Sequence, residues 1–254
     1  MRAAALRNIV PAMAWRIRRV VDRRALLPEV RRLPPTETDI GLSFDDGPTE
    51  ETTRAVIGLL KDHAATATFF LTGERVAASL DLVAELVDAG HDVFFHGWHH
   101  VRYGRLPVDA LLRDLDRFET LVSQVRPTPG PYLIRLPYGS GHGDPRLHRA
   151  VRRWNPSCII AHWDYVMRDW KLAEGCEDNA QLRQRCEAAA VRAVTDRDIV
   201  GSIILMHEKS FDVDAYLNPQ VAPLLVSALL SRMSAHGLRG SRIIVPSQSR
   251  KAAT

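Results

Sequence analysis

Short, mainly apolar runs alternate with helix-like stretches along most of this 254-residue chain, and that alternation restricts the fold more than any other feature. The runs are Ile40–Phe44, Ala67–Leu71, Asp92–Phe95, Tyr132–Leu136, Cys158–Trp163, Gly201–His207 and Arg242–Val245. Between them, apolar residues recur at helical spacing in Thr52–His63, Val76–Ala89, a long stretch opened by Pro107, Pro145–Arg153, Ala180–Val194 and Val221–Ala235. Gly90 and Gly237 stand where left-handed helix caps are wanted. Strands that alternate with helices pair in parallel, and helices on both faces bury them, so the strands lose the usual in–out alternation. About seven such units predict a single-domain α/β fold, a closed or nearly closed barrel of the (β/α)7 type. No GxGxxG follows the first strand, which argues against a dinucleotide-binding sheet.

Charge divides the chain in two. Up to Pro35 there are nine arginines against Asp22 and Glu29, a net +7; the whole chain carries +4, which leaves the remainder at −3. We therefore expect a basic segment over residues 1–35 and a barrel over 36–254. The segment mixes Ile9, Val10, Met13, Trp15, Ile17, Val20 and Val21 with its arginines. That pattern suits a helix on an anionic membrane surface, a basic helix on the outside of the barrel, or a frayed tail. Nucleic acid is not an expected partner, because no reader motif accompanies the charge. No run is long enough to span a bilayer and no secretory leader is evident. Cys158, Cys176 and Cys186 form no CxxC pair. The expected location is the cytoplasm, peripheral to the inner membrane face if the basic segment binds there.

Polar chemistry collects after the strands: Asp45-Asp46 after the first, "HGWHH" after the third, "RLPYG" after the fourth, "RDW" beyond the fifth, and His207 ending the sixth. In a parallel barrel all these positions meet on one rim. His96 and His100, at i and i+4, share one side of a helical turn, a spacing that suits one metal ion. Two imidazoles and one carboxylate leave an open position for water or substrate. The cation offsets the charge of one aspartate, and the other stays unliganded to accept a proton.

The ordered motifs "SFDDGP", "HGWHH", "RLPYG", "RDW" and "LMH" resemble those of the polysaccharide deacetylase family, the NodB-homology group or carbohydrate esterase family 4, over roughly Ile40–Val245. The resemblance implies a distorted (β/α) barrel and a divalent metal, zinc foremost and cobalt or nickel as alternatives, that serves removal of acetyl groups from sugars. It implies Asp45 as general base, and Asp46, His96 and His100 as metal ligands. It implies Arg135 as the residue that keeps Asp45 ionised, the Tyr138 N–H as oxyanion donor, and His207 as general acid. Asp169 would orient His207 or brace Arg135, and Leu205 and Trp170 would wall a slot for the acetyl methyl.

The chain departs from the family pattern at Gly97, which replaces a hydroxyl residue, at Phe95, and at Val166, which replaces an acid. Less support for the ligands is expected there, and Trp98 and His99 are expected to narrow the cleft or touch substrate. The leading expectation is deacetylation of an N-acetylated amino sugar, an oligosaccharide or a lipid-linked glycan. The alternatives are a deformylase acting on a lipid-linked formamido sugar and a metal-free carbohydrate-binding relic of the fold.

Overall fold

In a computed structural model of the chain, residues 26–141, 143–209 and 218–245 are described. Most of the basic segment expected over residues 1–35, with the helix or tail it was expected to form, lies outside them. The elements in order are β1 (Glu29–Val30), β2 (Asp39–Gly47), α1 (Glu50–Asp62), β3 (Thr68–Leu71), α2 (Gly73–Ala78), α3 (Leu80–Asp88), β4 (Asp92–Phe95) and α4 (Val108–Val122). They continue as β5 (Tyr132–Ile134), α5 (Pro145–Trp154), β6 (Cys158–Ala161), β7 (Tyr165–Val166), α6 (Asn179–Val194), β8 (Ile203–His207), α7 (Asn218–Ala235) and β9 (Arg239–Ser241). Among the described residues no helix is long and apolar enough to cross a membrane.

The strands form one sheet in the order β1-β6-β5-β4-β3-β2-β8-β7, with β9 paired to the first residues of β2. Every one of these pairings is parallel. The sheet curls into a half-barrel clad by helices, the distorted (β/α)7 architecture the motifs implied. Its core is aromatic and branched: Phe44 stacks on Phe69 at 5.0 Å, and the Phe95 ring meets Phe118 edge-on at 5.4 Å. All four rings are fully buried. Each such side chain contributes about 2–3 kcal/mol of burial free energy, so the strand ends above them rest on a rigid floor.

Several elements differ from their sequence-based expectations. The last strand is Arg239–Ser241, upstream of Arg242–Val245. Arg242 and Ile243 donate their N–H groups to Thr66 Oγ1 and Thr68 Oγ1, side-chain bonds in place of a ladder. The helix expected over Val76–Ala89 is two helices, broken at Ser79, whose φ of −147° is extended. Two strands were not expected at all, β1 and β7, each of two residues.

β1 changes how the chain ahead of Pro35 is understood. It pairs with Ile160 and Ala161 of β6. The chain then crosses to the foot of β8, where Leu33 N–H bonds Gly201 C=O at 2.8 Å and Arg32 forms a bridge with Ser202. Arg32 also pairs with Asp164 and donates to the carbonyls of Asp198 and Val200. So part of the arginine-rich segment fastens the open side of the barrel, and the sheet begins ahead of the Pro34-Pro35 joint.

Candidate active site

β2, β4, β5 and β8 end on the same rim and carry the polar residues there. Asp45 lies opposite His207 in the β2–β8 register. Two successive strand residues normally point to opposite faces. Here the register between β2 and β3 shifts between Asp45 and Gly47, and Asp46 takes a φ of 75°. This bulge turns Asp46 into the cleft beside Asp45, as bulges at barrel rims do. Five described non-glycine residues have positive φ: Asp46, Ala64, His100, Tyr138 and Arg168. Asp46, His100 and Tyr138 line the cleft, so local strain is concentrated at this rim.

His96 and His100 do come together, but not on a helical turn. Residues 96–100 form a bend in which Gly97 has a φ of +88° and His100 a φ of +50°. A Cβ on Gly97 would press on Pro137 and Tyr103, both at 3.1 Å. Glycine is therefore what the turn requires, and the hydroxyl residue of the family pattern does not fit it. The support lost with that hydroxyl comes from Tyr103, whose oxygen accepts the Trp98 N–H at 2.9 Å and donates to Asp114 at 2.6 Å.

Nδ1 of His96 stands 2.8 Å from the Arg135 carbonyl. A carbonyl only accepts, so Nδ1 carries the proton and the Nε2 lone pair faces Asp46 at 3.5 Å. His100 Nε2 lies 3.1 Å from the same Asp46 oxygen. That oxygen is buried without an aligned donor. Acceptor atoms that converge on a buried oxygen repel unless a proton or a metal cation lies between them. The three ligand atoms lie within 4.8 Å of one another. Ligands about 2.1 Å from one tetrahedral ion are separated by about 3.4 Å, so this N, N, O set fits a divalent ion. Burial, assisted by like-charge Asp45, pushes the Asp46 carboxyl up to about 8. Burial pushes His100 down to about 3 and lowers His96 as well, so both rings are neutral and in ligand form at neutral pH.

Asp45 has the opposite environment. Burial alone would raise its pKa, but the Arg135 guanidinium, 2.7 Å away, together with His96 and His207, holds the carboxyl below its ordinary range. Arg135 is itself fully buried and fixed by Ser43 Oγ and the carbonyls of Ala161 and His162. Asp169 bonds His207, not Arg135: one oxygen accepts the His207 backbone N–H and the other lies 3.0 Å from Nδ1. Burial works against a charged His207, but Asp169, with the charges of Asp45 and Asp46, raises the pKa to about 9. Trp170 meets the His207 ring edge-on at 5.3 Å.

The cleft among these groups encloses roughly 350 Å³ and is walled by Leu136, Tyr138, Trp163, Trp170 and Leu205. The residues expected as base, acid, ligands, oxyanion donor and slot walls all line it, with Arg135 and Asp169 behind. Trp98 and His99 do not narrow it. Trp98 is buried between Gly73 and the Arg117 guanidinium, and exposed His99 pairs with Glu74. Three charged residues escaped sequence reasoning: Arg102, which lines the cleft, Arg75 and Glu208. Arg75 donates to the Asp46 carbonyl. Buried Glu208 accepts from Thr49 N–H and Thr53 Oγ1, and its own N–H bonds the Asp45 carbonyl at 3.1 Å. An acid directly after His207 at a strand end was the available signal.

Comparison with known proteins follows the same outline. A family model described as "Polysaccharide deacetylase" matches residues 32–154. A peptidoglycan-N-acetylmuramic acid deacetylase of Bacillus subtilis is 30% identical over 148 residues, 57% of this chain and 29% of that protein. A chitooligosaccharide deacetylase of Rhizobium leguminosarum bv. trifolii is 30% identical over 152 residues, 59% of this chain and 68% of that protein. The chain spans less than two thirds of the length of several other curated relatives it matches. The solved structure of peptidoglycan deacetylase PdaC from Bacillus subtilis superposes with a TM-score of 0.62 at 24% identity, covering 83% of this chain and 90% of that one. From the ordered motifs, the curled parallel sheet and these relationships, the chain belongs to the polysaccharide deacetylase family.

Proposed function

We propose that this cleft hydrolyses the N-acetyl amide of an amino sugar. The observation that carries the reading is the convergence of Asp46, His96 and His100 beside a second carboxylate, Asp45, that is ionised by Arg135 and faces His207. Asp46, His96 and His100 would hold a divalent ion, with zinc the natural choice for two nitrogens and one oxygen. Bound there, an ion would supply Lewis acidity for the amide carbonyl and for the attacking water.

The remaining chemistry belongs to the chain. Asp45, kept charged by Arg135, takes the proton from the attacking water. The Tyr138 N–H, held on the rim by that residue's left-handed backbone, donates to the oxygen that gains charge as water adds. His207, protonated by virtue of Asp169, gives its proton to the departing nitrogen, which cannot leave as an amide anion. Leu205 and Trp170 exclude water from the acyl methyl. Arg135 and Asp169 touch no substrate and act by fixing the charge of base and acid.

The reading is supported by the names of relatives that act on N-acetylated glycans. Its test is incubation with acetylated and formylated amino sugars, free and lipid-linked, with acetate and formate release measured separately. Acetate release that is absent after chelation and restored by a divalent ion supports the reading. Formate release alone transfers it to deformylation, and no release with any ion leaves a carbohydrate-binding relic.

A further inference from the structure

We propose that Arg102 makes this site selective for amino sugars that carry an anionic group, a carboxylate or phosphate, on a ring carbon next to the one bearing the acylated nitrogen. The inference rests on the deacylation reading above and adds the class of substrate. Arg102 lines the cleft together with Asp45, Asp46, His96 and His100. Its guanidinium lies 4.0 Å over the Tyr138 ring, and that ring lies 4.5 Å from the ring of His100. The cation is therefore two side-chain contacts from the ligand cluster, on the wall of the same cleft.

The carboxylates around the cleft are engaged by groups other than Arg102, Glu208 by Thr49 and Thr53. Asp45 pairs with Arg135, Asp169 with His207, and Asp46 faces the two imidazoles. In the first turn of α2, Glu74 pairs with His99. Among the described residues no acid stands within ion-pair reach of Arg102. An aromatic face attracts the cation but accepts none of its in-plane N–H bonds. Those donors suit the two oxygens of a carboxylate or phosphate. A neutral sugar supplies only hydroxyls and gains little from a guanidinium in this position. Two chemistries meet the requirement: an ether-linked carboxylate on C3 next to a C2 amide, as in muramic acid, or a phosphate on C1, as in a lipid-linked glycosyl phosphate.

The test has a binding arm and a turnover arm, with wild-type protein and R102A. Binding of glucosamine, glucosamine 1-phosphate and muramic acid is measured by calorimetry at low and high salt. Turnover is measured on neutral acetylated chitotriose, an N-acetylmuramic acid disaccharide and a short-alkyl N-acetylglucosaminyl phosphate. We expect the wild-type protein to favour at least one anionic compound in both arms. We expect the anionic-to-neutral ratio to collapse by roughly 10- to 100-fold in R102A, as loss of a bidentate charged contact implies. The anion that shows the collapse identifies the source. No anionic preference in the wild type, or a preference that survives in R102A, overturns the inference. If the binding preference depends on Arg102 but no substrate is hydrolysed, the anion site stands and the deacylation reading falls. If the neutral glycan is hydrolysed with no anionic advantage, the anion site falls and deacylation stands.

Discussion

Asp169→Asn offers the sharpest view of how the site sets a proton in place. Asp169 makes two bonds to His207, one to its backbone N–H and one to Nδ1 at 3.0 Å, and lies buried behind the cleft. Burial would discharge the imidazole, but the charge and hydrogen bond of Asp169, joined by the charges of Asp45 and Asp46, push His207 up to about 9. A group with that pKa is about 90% protonated at pH 8, while an ordinary imidazole near 6.5 is about 3% protonated there. The substitution keeps the shape and removes the charge. A return of His207 to the ordinary imidazole range lowers turnover at pH 8 by roughly 30-fold; burial then pulls the pKa further down while the charges of Asp45 and Asp46 still hold it up. The sign follows from the role. A general acid works only while protonated, so wild-type activity declines as pH rises through about 9, and the variant's decline moves to lower pH. The gap between the two proteins should narrow as pH falls towards 6. The assay is the pH dependence of kcat on a saturating acetylated substrate, with metal content checked in each sample. A variant whose alkaline limb stays at the wild-type position would show that Asp169 does not govern His207, and a uniform loss at every pH would reduce Asp169 to a packing role.

Asp45→Asn should retain the ion and lose about 10²–10⁴-fold in turnover, the range for a missing general base; loss of the ion as well would mean that Asp45 is itself a ligand. Because that change leaves fully buried Arg135 without its counter-charge, thermal unfolding should report a cost of about 3–5 kcal/mol. His207→Ala should lower kcat by about 10²–10⁴-fold, and an amide substrate should suffer more than an ester one, whose leaving group needs less protonation. Gly97→Ala should destabilise the ligand loop by about 1–2 kcal/mol through its φ of +88° and the crowding against Pro137 and Tyr103, read as weaker metal retention at equal overall fold.

Much of this architecture was legible because period and punctuation mark it. The strands containing Ile40–Phe44, Thr68–Leu71 and Ile203–His207 are apolar runs long enough to be seen, and the polar residues that end them declare the rim. β1 and β7 escaped because two residues carry no periodicity. The final strand was displaced because "RIIV" has the better β composition, while the observed pairing of Arg239–Ser241 is set by where α7 delivers the chain beside Asp39–Gly41. Site chemistry was readable as residue types, but its geometry was not. The i, i+4 spacing of His96 and His100 suggested a helical turn, yet Gly97 and His100 reach the same convergence through left-handed backbone. The bulge that brings Asp46 beside Asp45 leaves no signature in the residues around it. Glu208 stood next to the last motif but its partners Thr49 and Thr53 are distant in the chain, and Arg102 needed the fold itself to bring it over Tyr138.

The claim beneath all of this is that Asp46, His96 and His100 share one divalent ion. Native mass spectrometry after incubation with zinc, cobalt or nickel and removal of excess metal tests it directly, on the wild-type chain and on Asp46→Asn. One ion per wild-type chain and none on the variant is the predicted outcome. A wild-type chain that emerges bare with all three metals, or a variant that keeps the ion in full, contradicts it.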